Sequence, residues 1–277
     1  MRIKLSIPLI LIGFWLFFWA WYAWPTQTVG TTGYLIRTSL PKNNKIIILM
    51  YHKVNPFPTS GGLGLRVNPS DFAEQMSILK EFGYTVISMD KMVEFLETGK
   101  PLPERSIVIT FDDGYEDNYL YAYPILMKYG YPATIFLVYN HIDETNSWDE
   151  KLGFPSNHLL NWDEIREMAE NGITFGSHTL NHPHLDEIPL AEAAKEITIS
   201  KILLEKTLKK PVNYFCYPYG DYNLKVAHIV KLAGYKAAVT TRLGVNENKA
   251  NPYTLKRVRV MGTYDRYKFI RELERIR

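Results

Sequence analysis

The sequence has one cysteine, Cys216, which rules out an intramolecular disulfide and any thiolate metal cluster. It also has little excess charge. Its 32 Lys and Arg against 29 Asp and Glu give a formal net charge of +3, and +1 without Arg2 and Lys4. Nothing in that balance calls for a nucleic-acid partner. No internal repeat or low-complexity tract stands out in the 277 residues, so solenoids and disordered chains are excluded.

Charge is missing altogether from Leu5 to Trp24, a run holding four of the six tryptophans: Trp15, Trp19, Trp21 and Trp24. A helix of that length spans roughly 30 Å, the hydrocarbon thickness of a bilayer. The run is longer and bulkier than a cleaved signal core, and Trp24-Pro25 makes a poor cleavage site. The expectation is one N-terminal transmembrane helix over 1–24. Arg2 and Lys4 would stay inside, and the rest of a single-pass cell-membrane protein would lie outside the cell. Residues 25–44, rich in Thr, Gly and Pro, read as a linker to a domain over 45–277.

Within that domain, short apolar runs alternate with helical patterns. Strands are predicted at Lys45–Tyr51, Thr85–Ile87, Ile107–Phe111, Thr134–Val138, Ile173–Phe175, Val212–Cys216, Lys236–Thr240 and Leu255–Val260. Helices are predicted near 70–82, 89–98, 117–129, 162–171, 189–209, 223–233 and 265–276. Asn161 with Glu164 has capping-box spacing, and Gly83, Gly130, Gly172 and Gly234 stand at helix ends. This alternation specifies an α/β fold with parallel strands, either a barrel or a doubly wound sheet. Active sites in both lie at the carboxyl ends of the strands.

Four of those ends carry chemistry: Tyr51-His52, Asp112-Asp113, Ser177-His178 and Tyr217-Pro218-Tyr219-Gly220. Thr110-Phe111-Asp112-Asp113-Gly114 supplies two adjacent carboxylates, which repel each other unless a cation is near. They would point to opposite strand faces, and Gly114 permits a turn that gathers both into one pocket. His178 and His182, closed off by Pro183, share a face if their segment makes a helical turn. Two imidazoles and one carboxylate hold a catalytic metal with positions left open for water and substrate, and the other carboxylate is free to act as a base. Alone, each motif is more often a turn or a packed histidine. Together at one rim they point to a metal-dependent hydrolase.

These residues resemble the polysaccharide deacetylases of carbohydrate esterase family 4. Thr110–Gly114 is similar to that family's T-F-D-D-G motif, His178–Pro183 to its H-[ST]-x-x-H-P motif, and Tyr217–Gly220 to the end of its third motif. Leu49-Met50-Tyr51-His52-Lys53-Val54 looks like the branch acting on extracellular poly-N-acetylglucosamine. The resemblance covers about 45 to 265 and implies a distorted (β/α)7 barrel that removes acetyl groups from an N-acetylated polysaccharide or peptidoglycan. It further implies a divalent metal on Asp113, His178 and His182: zinc, with cobalt or nickel as alternatives. Asp112 would be the base, and the Tyr219 N–H an oxyanion donor.

Two positions depart from the family pattern. Cys216 stands where an arginine usually orients the base, and no histidine follows His228 to serve as the acid. Alternation in the last strand puts Val258 and Val260 toward the helices and Arg257 and Arg259 into the barrel, which nominates Arg257 beside Asp112. His52, at another strand end, is the candidate acid. The competing readings are a carbohydrate-binding pseudoenzyme and, more distantly, a non-haem iron enzyme.

Overall fold

The computed structural model describes residues 45–150 and 153–276. The anchor expected at 1–24 and the linker at 25–44 lie outside the described residues. Among the described residues no helix is long and apolar enough to cross a membrane.

Among the described residues ten strands follow in chain order: β1 (Ile47–Tyr51), β2 (Lys53–Val54), β3 (Arg66–Val67), β4 (Thr85–Val86), β5 (Ser106–Phe111), β6 (Thr134–Leu137), β7 (Thr174–Ser177), β8 (Tyr214–Cys216), β9 (Ala237–Leu243) and β10 (Leu255–Arg259). The helices are α1 (Pro69–Glu81), α2 (Met89–Thr98), α3 (Tyr123–Tyr129), α4 (Ser147–Glu150), α5 (Trp162–Glu170), α6 (Leu190–Leu208), α7 (Leu224–Leu232) and α8 (Arg266–Ile276).

Seven strands, β1 and β5 to β10, form a closed parallel barrel. β1 pairs with β5 along its whole length, from Ile47↔Ile107 to Tyr51↔Phe111, and with β10 at Leu49↔Val258. β4 pairs only with the start of β5 (Thr85↔Ser106), while β6 takes the end of β5 (Thr110↔Thr134). The distortion of the barrel therefore has a local cause: two short neighbours share one edge of β5. β2 and β3 form a separate two-stranded sheet.

Strand alternation divides the apolar residues into two clusters. Ile48, Val108, Phe136, Tyr214, Cys216, Val239 and Leu255 fill the barrel with Met89, Met92, Val93 and Phe95, from or beside the start of α2. Their strand neighbours Leu49, Ile109, Ile135, Phe215, Ala238 and Val258 face outward into the second cluster. There they join Phe72 and Met76 of α1, Ile165 of α5, Ile197 of α6, Val230 of α7 and Phe269 of α8. Both strand faces are thus buried, which accounts for strands that read apolar throughout. Gly176 is required inside: a Cβ there would lie 2.5 Å from the Phe136 ring and 2.9 Å from Tyr214 O.

Asn161 and Glu164 make both bonds of the capping box at α5. The continuous helix expected over 117–129 is instead a π-helical turn, Asn118–Ala122, running into α3. The cause is Pro124, which has no N–H for the Leu120 carbonyl and crowds it. The Tyr123 N–H reaches Asn118 O, one residue further back than in an α-helix. The wide turn leaves the Asn118 side chain buried beneath β1.

Candidate active site

The two adjacent carboxylates take different surroundings because the chain reverses between them. Asp112 is still bonded to the barrel, its N–H donating to Tyr51 O at 3.0 Å. Asp113 (φ 71°) and Gly114 (φ 75°) are both left-handed, so the turn begins one residue earlier than the glycine alone would require. A side chain at Gly114 would also strike Leu137, with Cβ 2.7 Å from Cδ2. Both aspartates are buried.

Asp113 faces the imidazoles. Its Oδ1 lies 3.3 Å from His178 Nε2 and 3.4 Å from His182 Nε2. Burial works against its ionisation, but the bonds to His178 and His182 outweigh burial and hold the carboxyl well below its ordinary range. His178 Nδ1–H donates to Cys216 O at 2.7 Å, which fixes the ring with its Nε2 aimed at Asp113. One donor atom from each of the three residues lies within 4.8 Å of the others. One carboxylate oxygen and two imidazole nitrogens converging in a buried pocket are a donor set that fits a divalent ion such as zinc.

The segment between the two histidines makes no helical turn. The segment is a loop in which Thr179 (φ 73°) and His182 (φ 61°) are left-handed, and the His182 N–H donates to Thr179 Oγ1 at 2.9 Å. These two reversals, rather than a helical repeat, bring both rings to one side.

Asp112 faces Arg257. Nη1 donates to Oδ1 at 2.7 Å and Nη2 to Oδ2 at 2.6 Å. Arg257 is fully buried, with Nε on Thr240 O at 2.8 Å and Nη1 also on Thr110 Oγ1 at 3.1 Å. Burial opposes the Asp112 charge, and the Arg257 cation overcomes it, so the carboxyl stays below its usual range. Arg259, expected inside with Arg257, is exposed. It lies two residues further along the strand, beyond the last pairing with β9 (Arg257↔Leu243) though still opposite Met50 of β1, and its charge reaches His52.

A second convergent group, Asp112, His178 and Cys216, is not a metal set on this geometry. Arg257 Nη2 stands 3.3 Å from Cys216 Sγ, and burial pushes the thiol up, so it stays protonated.

His52 Nε2 lies 3.8 Å from Asp112 Oδ2. Its side chain is 11% exposed. Burial lowers its pKa, and the fields of Asp112 and Asp113 oppose that only in part. Its backbone is fixed by the π-helical turn: Asn118 Nδ2 donates to His52 O at 2.8 Å and to Asp117 Oδ1 at 3.0 Å. Asp117 in turn accepts from Val54 N–H at 3.1 Å.

Tyr219 sits in the short Pro218–Gly220 turn with φ 59°. Its ring meets His182 edge-on at 4.6 Å and stacks on His184 at 3.8 Å. His184 Nδ1 pairs with Asp221 at 2.8 Å and contacts none of the three candidate metal donors through that bond.

Sequence reasoning missed Trp148. It sits on α4, a single turn after β6, and its ring stacks on His182 at 4.6 Å with 23° between planes. His141 meets Trp148 edge-on, with ring centroids 5.0 Å apart. The available signal was a tryptophan inside the polar stretch Asn146-Ser147-Trp148-Asp149-Glu150.

Comparison with known proteins agrees with this geometry. The profile of the polysaccharide deacetylase family matches residues 99–238. A Bacillus subtilis (strain 168) protein named for that family, YxkH, is 34% identical over 225 residues, covering 81% of this chain and 74% of the relative. The poly-beta-1,6-N-acetyl-D-glucosamine N-deacetylase of Staphylococcus aureus (strain MRSA252) is 28% identical, covering 78% and 79%. Among solved structures, the Streptococcus pyogenes deacetylase PplD in complex with acetate superposes with a TM-score of 0.72 at 29% identity. It covers 84% of this chain and 99% of that one.

Proposed function

The chain belongs to the polysaccharide deacetylase family, and from that membership we propose that it hydrolyses the N-acetyl groups of a 2-acetamido-sugar polymer of the poly-β-1,6-N-acetylglucosamine type. The products are acetate and a free sugar amine. The observation that carries the reading is the division of labour between neighbours: Asp112 turned to an arginine, Asp113 to two imidazoles.

Asp113, His178 and His182 would hold a divalent metal. When bound, such an ion supplies Lewis acidity, polarising an acyl oxygen and lowering the pKa of water toward about 7. Asp112 accepts the proton of the attacking water. Arg257 keeps that carboxylate ionised and fixes its plane through two parallel bonds. The Tyr219 N–H holds charge developing on the acyl oxygen, a donor typically worth about 10²–10³ in rate. The amine leaves only when protonated. His52, 3.8 Å from Asp112, delivers that proton to the nitrogen as the C–N bond breaks. A pseudoenzyme that only grips sugar has no use for a buried carboxylate held ionised in this way.

The charge-free run from Leu5 to Trp24 belongs to the same proposal, as an anchor that places the barrel at the outer face of the membrane. Acetate release tests the activity. Poly-β-1,6-N-acetylglucosamine, peptidoglycan and chitin oligomers are compared, with and without chelator and with zinc, cobalt or nickel restored. Release from the first substrate, lost on chelation, supports the reading. No release from any of the three contradicts it.

A further inference from the structure

Glu196, on α6, is buried beneath the loop that carries His178 and His182, with 7% of its surface exposed. Its three hydrogen-bond donors all belong to that loop. Oε2 accepts from the Leu180 N–H at 2.9 Å and the Asn181 N–H at 3.0 Å, and Oε1 accepts from Asn181 Nδ2. The loop's carbonyls are satisfied from another side: Tyr139 N–H donates to Thr179 O at 3.1 Å and Asn140 N–H to Leu180 O at 3.0 Å. The two amide N–H groups in the middle of the loop therefore depend on Glu196 for their acceptor.

The two imidazoles differ in how they are held. His178 is oriented by its bond to Cys216 O. Among the described residues, His182 Nδ1 is buried without a hydrogen-bond partner. The direction of the His182 ring is thus set by its own left-handed backbone and by packing against Trp148 and Tyr219. Left-handed Thr179 and His182 are disfavoured for residues with a Cβ and persist only where surrounding bonds fix them.

We propose that Glu196 is a positioning residue for the metal centre, clamping the Leu180–Asn181 amides so that His182 Nε2 keeps its aim at Asp113. This rests on the reading of Asp113, His178 and His182 as metal ligands. The carboxylate touches none of those three side chains. It acts through the loop, and through His182 more than through His178, because only His182 lacks a second tether.

The test is cobalt titration of the full chain after chelator treatment, read by the visible absorption of the bound ion and by its dissociation constant. Glu196→Ala removes all three bonds. Glu196→Gln keeps an oxygen for the two backbone amides but sets an NH2 group against Asn181 Nδ2. Supporting-residue changes at metal sites typically cost about 10–100-fold in affinity. Glu196→Ala is expected in that range with an altered spectrum, and Glu196→Gln at a smaller loss. In a His182→Ala background, Glu196→Ala should add little further loss, because the residue it acts through is gone. If Glu196→Ala does not fold, Glu196→Gln decides. Wild-type affinity and spectrum in the folded variants, with only thermal stability lowered, would overturn the proposal alone. A wild-type chain that binds no cobalt would sink the metal reading and this proposal together.

Discussion

Arg257 closes on Asp112 with two parallel hydrogen bonds of 2.7 and 2.6 Å, although the residues are 145 positions apart in the sequence. The pair is buried on both sides. Cys216 stands beside it, with its sulfur 3.3 Å from the guanidinium. An arginine from β10 thus occupies the space beside the base that the family pattern assigns to an arginine at the position of Cys216.

Arg257→Met should leave Asp112 buried without its cation. Breaking such a pair typically costs about 3–5 kcal/mol, readable by urea unfolding near pH 7. The pH dependence should change as well. In the wild type the folded Asp112 carboxyl is depressed, so its stabilising contribution is present above its unfolded value of about 4 and lost as pH falls through the folded value. Without Arg257, only His52 and His178 are left to oppose burial, and the contribution should shrink. Arg257→Lys keeps a charge but not the two-pronged geometry, and its turnover should fall between wild type and Arg257→Met.

His52→Ala should lower kcat by about 10²–10⁴ and leave KM within a few-fold, as expected for loss of a proton donor used only in the transition state. His52 holds its proton less tightly than a free imidazole, because burial outweighs its acidic neighbours. The alkaline limb of the kcat profile should therefore fall at or below about pH 6.5 and vanish in the variant. An unchanged kcat would place the acid elsewhere.

Asp117 gives a prediction of opposite sign to Asp112. Burial pushes its carboxyl up to about 6, against the pull of the Val54 N–H, Asn55 and Lys53. Its stabilising contribution is full below its unfolded value near 4 and lost as pH rises through about 6, a change of roughly 3 kcal/mol over that window. The stability of Asp117→Asn relative to wild type should accordingly improve between pH 4 and pH 7. Urea midpoints at those two values check this, and parallel curves would contradict it.

Most of the barrel could be read from the chain because the strands are short apolar runs set between helical patterns, several of which end at a glycine. All eight expected strands are present, as is the alternation that sends Arg257 inward and Val258 outward. Failures occurred where the backbone leaves regular geometry. The left-handed Asp113, Thr179 and His182 have no sequence signal, because non-glycine residues adopt that conformation only when tertiary bonds hold them. The π-helical turn at Asn118 had a signal in Pro124, which a helical pattern masked. Trp148 was missed because α4 is a single turn, too short to show periodicity. Arg259 was expected on the face of Arg257 but is exposed beyond the end of β9, a limit that alternation does not mark.

The account turns on adjacent aspartates with separate duties, and Asp112→Asn tests this most directly. Acetate release from poly-β-1,6-N-acetylglucosamine oligomers and bound metal should be measured on the same preparation of wild type, Asp112→Asn and Asp113→Asn. The account predicts that Asp112→Asn keeps its metal near wild-type stoichiometry and loses turnover, because its carboxylate faces Arg257 rather than the imidazoles. Asp113→Asn should lose both. Full turnover in Asp112→Asn, or loss of its metal together with retained metal in Asp113→Asn, would contradict the assignment.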